Sequence, residues 1–325
     1  MPPTRLLPPS SFLRRALLLL SGVLGAVPVG VAGAGAEFPS LPTFSGPTVA
    51  GDLAAPPKNE ASGLAASRRT PGLLWVHDDS GGEAALYAVD TNGRFRGLLQ
   101  IGAGVKNDDW EDLAAAEIDR QAWLVIGDIG DNDAKRREFR VHFVPEPAAD
   151  RLAVAGMLAE RPAATLRIRF EDGPRDCESL AVDSTEGALY LLSKRDAVPR
   201  LYRVALPRPL AHAELTARWV GDVSHLAPPG SGKRSSRGQS ARRAAWPCAM
   251  DFAADGTAAV VLTYTEVLIF PRRQGETWGT ALGREPLRLP PHRLSQAEAV
   301  CFSPDGRQIF VASENSRSLL RYDRK

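Results

Sequence analysis

Cysteine is scarce in this chain: 3 residues in 325. Cys177, Cys248 and Cys301 show no Cys-x-x-Cys or Cys/His spacing, so neither a zinc ribbon nor a disulfide-dense scaffold is available to the sequence. An excess of charge of one sign is also missing. Lys and Arg number 40 against 38 Asp and Glu, a formal net charge of +2, so global charge selects no polyanionic or polycationic partner. After residue 36 no apolar run approaches the ~18 residues that a membrane-spanning helix needs. No loop has the EF-hand ligand spacing. The one basic stretch, with Lys233, Arg234, Arg237, Arg242 and Arg243, has no interleaved aromatics on which bases could stack, so it carries no nucleic-acid signal.

The first 36 residues read as a secretory signal peptide. Arg5, Arg14 and Arg15 form a positive start, Ala16 to Val31 is apolar, and Ala34-Gly35-Ala36 offers a small-x-small cleavage site. Export to the periplasm or beyond follows as an expectation. Residues 37–325 are then one all-β domain, expected to be monomeric. In an exported protein three cysteines form an odd set. They are read either as buried apolar fillers or as one Cys177–Cys248 bridge and a leftover thiol, should the Cα atoms lie within ~7 Å.

What the sequence has is a repeat. Five apolar runs start at Ser62, Glu111, Glu178, Ala249 and Glu298, at intervals of 49, 67, 71 and 49 residues. Each is followed by a turn, a second run rich in aliphatic and aromatic residues, a second turn and a third run. Fourth strands are expected near Gly97–Ile101, Thr165–Phe170, Leu215–Val220 and Leu287–Leu289. Strand triplets or quartets at a fixed period predict a β-propeller of four-stranded blades. The long intervals are explained by insertions near 145–163, with a short helix around Arg151–Glu160, and near 224–246. Five blades fit this count, and six would need a different register. The last repeat lacks a strand, which Pro47–Leu53 could supply, closing the ring and removing an open sheet edge.

A propeller gathers distant residues at one mouth of its channel. Entry into the innermost strands would bring Glu60, Asp109, Glu111, Asp176, Glu178, Asp251 and Glu298 there. The loops between second and third strands would add His77, Asp78, Asp79, Asp128, Asp131, Asn132, Lys194, Arg195, Tyr264, Glu314 and Asn315. Crowded carboxylates repel one another unless a cation neutralises them. A ring of hard oxygen donors suits calcium. Glu111, Glu178, Glu298, Asp128 and Asp131 are the expected metal ligands. The last two lie in Gly127-Asp128-Ile129-Gly130-Asp131-Asn132-Asp133, a run that equally makes a turn. Lys194, Arg195, Tyr264 and Asn315 are expected to hold an anionic ligand. His77 and Asp79 are the candidate bases should the protein be a hydrolase.

The segments Glu171–Leu180 with Leu189–Arg195, Trp110–Leu113 with Gly127–Asn132, and Ser62–Leu64 with Asp79–Gly81 resemble a family of exported bacterial β-propellers. Phe302-Ser303-Pro304-Asp305-Gly306 is similar to propeller blades generally, TolB-like proteins included. More distantly, the layout is similar to calcium-dependent propellers, the β-propeller phytases and the regucalcin–gluconolactonase group. That resemblance implies a divalent cation at the channel mouth and ester or lactone hydrolysis. Those propellers commonly have six blades, and here Ala249 stands where the repeat leads to an acid. The sequence therefore points first to a non-catalytic binding module for an anionic small molecule or a cell-envelope component, and second to a metal-dependent esterase, phosphoesterase or lactonase.

Overall fold

The computed structural model describes residues 43–56, 60–102, 104–227, 240 and 243–325. The signal-peptide reading of residues 1–36 lies outside the described residues, as do Lys233, Arg234, Arg237 and Arg242.

After strand β1 (Thr48–Asp52), the strands fall into successive antiparallel units. The first holds β2 (Ala61–Ala66), β3 (Leu73–Asp78), β4 (Ala85–Asp90) and β5 (Phe95–Ile101). The second holds β6 (Trp110–Ile118), β7 (Gln121–Asp128) and β8 (Phe139–Pro145), and after β9 (Met157–Glu160) it is completed by β10 (Ala164–Phe170). The third holds β11 (Cys177–Asp183), β12 (Ala188–Ser193), β13 (Arg200–Ala205) and β14 (Ala213–Asp222). The fourth holds β15 (Pro247–Phe252), β16 (Ala258–Thr263), β17 (Val267–Pro271) and β18 (Leu287–Arg288). The last holds β19 (Ala297–Phe302), β20 (Gln308–Ser313) and β21 (Ser316–Asp323). β1 supplies its missing strand by pairing antiparallel with β21, Thr48 opposite Arg321. No helix of the described residues is long and apolar enough to cross a membrane.

The units are arranged in a circle. β2 packs on β6, β6 on β11, β11 on β15, β15 on β19, and β19 returns to β2. The apolar clusters follow the same cycle. Phe139, Val141 and Phe143 of the second unit pack with Leu189, Leu191 and Tyr202 of the third. Val300, Val311 and Tyr322 of the last unit face Val260 and Leu262 of the fourth, while Phe310 and Leu319 face Leu64 and Val76 of the first. The protein is thus an all-β propeller with its core between blades. Side-chain size explains the taper. β2 is Ala-Ser-Gly-Leu-Ala-Ala and wholly buried, because strands near the axis have little room. The next strands out, such as β12 (Ala-Leu-Tyr-Leu-Leu-Ser) and β16 (Ala-Ala-Val-Val-Leu-Thr), fill the widening wedge.

Two buried aspartates bind the innermost strands together. Asp112, at φ 61°, accepts from Leu113 N at 2.9 Å, Leu180 N at 2.8 Å and Met250 N at 2.9 Å. One carboxylate thereby ties β6 to β11 and β15. Asp251 accepts from Phe252 N at 2.8 Å and Phe302 N at 2.9 Å, tying β15 to β19. Asp251 therefore lies deeper along the channel than its expected place at the mouth.

Burial, only partly opposed by Arg68 and the two N–H groups, pushes the Asp251 carboxyl up to about 6 from an ordinary 3.8. An acid raised on folding favours the native state while protonated. That contribution is complete below the ordinary carboxyl range and is lost as pH rises through about 6. The loss amounts to on the order of 3 kcal/mol between about pH 4 and 7. Urea unfolding across that range should show Asp251→Asn gaining on the wild type as pH rises. A constant difference between the two would refute this.

The inserted segment 145–163 is part helix and part strand. α1 (Ala149–Ala155) ends at Gly156, whose φ of 68° and N–H bond to Leu152 O stop the helix. β9 then adds to the first unit, parallel to β5. All three cysteines are free and buried, so the bridge between Cys177 and Cys248 does not form.

Candidate functional site

The channel mouth is built from one irregularity repeated in every unit. Each innermost strand carries a β-bulge at its second residue or the one beside it, seen as a register step at Ala61/Gly63, Trp110/Leu113, Cys177/Ser179, Pro247/Ala249 and Ala297/Ala299. A bulge leaves a residue unpaired and re-aims its side chain. The residues so placed are Ser62, Glu111, Glu178, Cys248 and Glu298, all buried. The fourth member is therefore Cys248, and the alignment on Ala249 is off by one. The apolar residue two positions on (Leu64, Leu113, Leu180, Met250, Val300) would have given the right register from sequence.

A second repeated contact brings loop residues to the same mouth. Asp79 N donates to Glu60 O at 2.9 Å, Gly130 N to Asp109 O at 3.2 Å, Lys194 N to Asp176 O at 3.0 Å and Glu314 N to Gln296 O at 3.1 Å. Asp79, Lys194 and Glu314 thus stand at like positions, and in the second unit that place falls to Gly130. A side chain there is impossible, since a Cβ on Gly130 would lie 2.6 Å from Asp109 Cγ. The glycine leaves the space to the Asp109 carboxylate.

Two groups of ligating atoms result, each within 4.8 Å: Glu178, Cys248 and Glu298, and Asp79, Asp109 and Glu111. They differ in their counter-ions. Lys194, itself buried, places its ammonium against Glu178 and 3.8 Å from Glu298 Oε1, with the Tyr264 ring 5.0 Å away. Burial disfavours its charge, but Cys248 and the carboxylates Glu178, Glu298 and Glu111 outweigh that and hold it well above its ordinary value. Burial also pushes the Cys248 thiol up, so the carboxylates are the charges that act. This first group already holds a cation.

In the second group, Glu111 accepts from Ser62 Oγ at 2.6 Å, and among the described residues no ion pair involves Asp79 or Asp109. Burial, then Glu178 and Asp79, drives the Glu111 carboxyl well up. Burial, then Asp79, raises Asp109 to about 6. Asn107 sets the spacing. Its side-chain amide donates to Asp79 O at 2.8 Å, and its own carbonyl accepts from Gly81 N at 3.3 Å. Nothing in the sequence marked Asn107, and Asp109 was expected at the mouth but not among the metal ligands. Around these groups burial raises Glu178 to about 8. Burial and a hydrogen bond to Glu298 raise Glu314 to about 9. The mouth carries more carboxylate than it can ionise.

The remaining expected site residues are placed differently. Asp128 pairs with Arg136 at 2.8 Å and Arg140 at 3.5 Å. Asp131 accepts from Arg136 N at 2.7 Å, while its own N–H donates to Asp176. Both carboxylates brace their own loop and neither joins an acidic group. His77 fills the space left by Gly63, whose Cβ would lie 2.2 Å from its Nε2. Its Nδ1 is 2.9 Å from Asp78 O, its ring meets Trp110 edge-on, and burial lowers its pKa. It is a neutral wall residue and does not reach the mouth. Arg195 contacts Asp176 and lies over the Trp246 ring at 4.9 Å. With Arg243, Trp246, Tyr264 and Gln296 it lines a cavity of about 460 Å³. Asn315 is exposed and donates to Gln296 Oε1 at 2.6 Å.

No protein-family model matches the sequence, and no curated protein matches it. Solved structures similar to it include a gluconolactonase of Xanthomonas campestris, at 13% identity over 87% of this chain and 94% of that one, TM-score 0.43. A luciferin-regenerating enzyme is similar at 10% identity over 86% and 95%, TM-score 0.41. The WD40 domain of Neurospora crassa Pan2 is similar at 9% identity over 81% of this chain, TM-score 0.34, and the chain spans 62% of its length.

Proposed function

We propose that this chain is an exported five-bladed β-propeller whose channel mouth binds calcium between Asp79, Asp109 and Glu111 and holds an anionic ligand in the neighbouring cavity, as a binding module without turnover. One observation carries the reading: among the described residues, three carboxylates within 4.8 Å form no ion pair with an ammonium or guanidinium, while Glu178, Asp176 and Asp128 are each paired. An all-oxygen donor set suits a hard cation. The thiol-containing group with Lys194 in contact suits calcium less well. Calcium would offset two of the three negative charges and offer open positions to ligand oxygens.

Arg195, Tyr264 and the Gln296–Asn315 pair border the place for that ligand. The Lys194 ammonium would add to the field from behind Tyr264. The ligand is an anionic small molecule or an anionic component of the cell envelope. Export rests on the pattern of the first 36 residues. Binding is favoured over hydrolysis because His77 is buried away from the mouth.

Calcium titration with melting temperature as the readout tests the site. At about 100-fold excess over Kd, stabilisation of ~2.7 kcal/mol is expected. That corresponds to a rise of roughly 5–10 °C for a domain of this size. Asp109→Asn and Glu111→Gln should abolish it, and Asp128→Asn should leave it. A wild type indifferent to calcium removes the proposal. Turnover of phosphate or carboxylic esters that vanishes in Glu111→Gln would instead establish a metal-dependent hydrolase.

A further inference from the structure

The Asp79, Asp109 and Glu111 carboxylates come from two different units. Asp79 follows β3 of the first, whereas Asp109 and Glu111 stand at the entry to β6 of the second. A site divided in this way has no fixed size unless something spans the gap. Asn107 spans it. The residue is buried, two positions before Asp109. Its Nδ2 donates to Asp78 O at 3.2 Å and to Asp79 O at 2.8 Å. Its Oδ1 accepts from Trp110 N at 3.1 Å, and its backbone O accepts from Gly81 N at 3.3 Å. The amide thus grips the turn that carries Asp79 with its nitrogen, and the segment that carries Asp109 and Glu111 with its oxygen.

Other groups stiffen this clip. Asp78 O can only accept, so the proton of the neutral His77 ring lies on Nδ1, 2.9 Å away. The peptide between Asp78 and Asp79 is therefore held from two sides. The His77 ring is itself wedged into the space beside Gly63 and against Trp110. Trp110 Nε1 donates to Lys106 O at 3.1 Å, which closes the segment around Asn107 on itself. Gly130 leaves a berth for the Asp109 carboxylate with no room to spare for a Cβ. Neither half of the site can move toward the other without breaking buried hydrogen bonds.

We infer that Asn107 is the positioning residue that makes this mouth select calcium over magnesium. The inference rests on calcium binding between Asp79, Asp109 and Glu111. Magnesium demands a near-ideal octahedron with oxygens at ~2.0–2.1 Å, while calcium accepts irregular sets of ~6–8 oxygens at ~2.3–2.6 Å. Carboxylates mounted on two braced segments do not close round the smaller ion. The larger ion tolerates the spacing that the clip imposes. Asn107 acts through the peptides it holds and not as a ligand.

Isothermal titration of the full chain with calcium and, separately, with magnesium tests it, at a temperature where circular dichroism shows each variant folded. Asn107→Ala removes the clip. Asn107→Ser keeps a hydroxyl that can accept from Trp110 N but is too short to reach Asp79 O, so it serves where Asn107→Ala folds poorly. Partners that orient metal ligands typically carry about 10–100-fold in affinity, and calcium binding should weaken by that factor in both variants. Magnesium binding should hardly change, so the calcium-to-magnesium ratio falls with it. A purely structural role would weaken both ions alike and leave the ratio where it was. A wild type indifferent to calcium removes the underlying site and this inference together. A wild type that binds calcium, with variants that keep its calcium-to-magnesium ratio, overturns the inference alone.

Discussion

Asp112→Ala is expected to lower the unfolding free energy by on the order of 5 kcal/mol, the largest effect of any single substitution in the channel. The side chain accepts three buried backbone N–H groups, from Leu113, Leu180 and Met250. Each donor left without an acceptor costs about 1–3 kcal/mol. Alanine at the left-handed φ of 61° adds about 1–2 kcal/mol that aspartate or asparagine largely escapes. Against these stands a partial relief, since burial holds the Asp112 carboxyl well above its ordinary range and its removal ends that penalty. A domain of ordinary stability, about 5–15 kcal/mol, would be left marginal. Asp112→Asn keeps the backbone geometry and one acceptor oxygen, and should cost about half as much. Urea unfolding measures both. An alanine variant within about 1 kcal/mol of wild type would show that the three strands hold together without this carboxylate.

Lys194→Met should be nearly as damaging, by about 3–5 kcal/mol, because it strips the partner from buried acids. The ammonium touches Glu178 and sits 3.8 Å from Glu298. Without it the Glu178 carboxyl loses the charge that opposes its burial. Glu178, already raised to about 8 by burial with Lys194 opposing, would rise further. A raised acid stabilises the fold below its ordinary range and ceases to as pH passes its folded value. The deficit of Lys194→Met should therefore widen above about pH 8. The vacated place, bounded by Glu178, Cys248 and Glu298, should then accept a soft divalent ion such as cadmium. Recovery of melting temperature with cadmium in Lys194→Met, absent in Lys194→Met with Cys248→Ser, is the expected result. A variant as stable as wild type at every pH would mean that the ammonium contributes nothing.

Much of the fold was legible because a propeller writes itself as a period. The expected fourth strands at Gly97–Ile101, Thr165–Phe170, Leu215–Val220 and Leu287–Leu289 overlap β5, β10, β14 and β18. The closing strand expected in Pro47–Leu53 is β1. What the sequence could not convey were non-local fits. The helix expected up to Glu160 stops at Ala155 because Gly156 has a positive φ, and β9 then finds an edge 59 residues earlier in the chain. His77 beside Asp78 looks like a base until Gly63, on another strand, is seen to make room for its ring inside the wall.

The site shows the same division. Glu111, Glu178 and Glu298 could be aligned because their repeats are alike, and they do converge. Cys248 escaped the alignment because its unit carries no acid at the bulge, and the register was set on Ala249 instead of on Met250, the apolar residue two positions beyond the bulge. Asp128 and Asp131 were drawn in by an Asp/Asn/Gly-rich run. Such a run announces a turn but not the direction of its carboxylates, and here Arg136 and Arg140 claim them. Asp109 was expected at the mouth, but its place beside Asp79 and Glu111 becomes visible only through Gly130, whose missing side chain is its berth.

The parallel pairing of β10 with β14, Leu166 opposite Ala213, welds two neighbouring blades into one eight-stranded sheet. A blade's outermost strand is ordinarily the place where a passing chain could add itself, since its N–H and C=O groups face outward. Here two of those rims hide each other. β9 shields β5 in the same fashion, and β18 offers just two residues. The fusion that makes two of the units a single plate also withdraws two templates from misfolding neighbours, leaving β1 and β9 as the longer open edges.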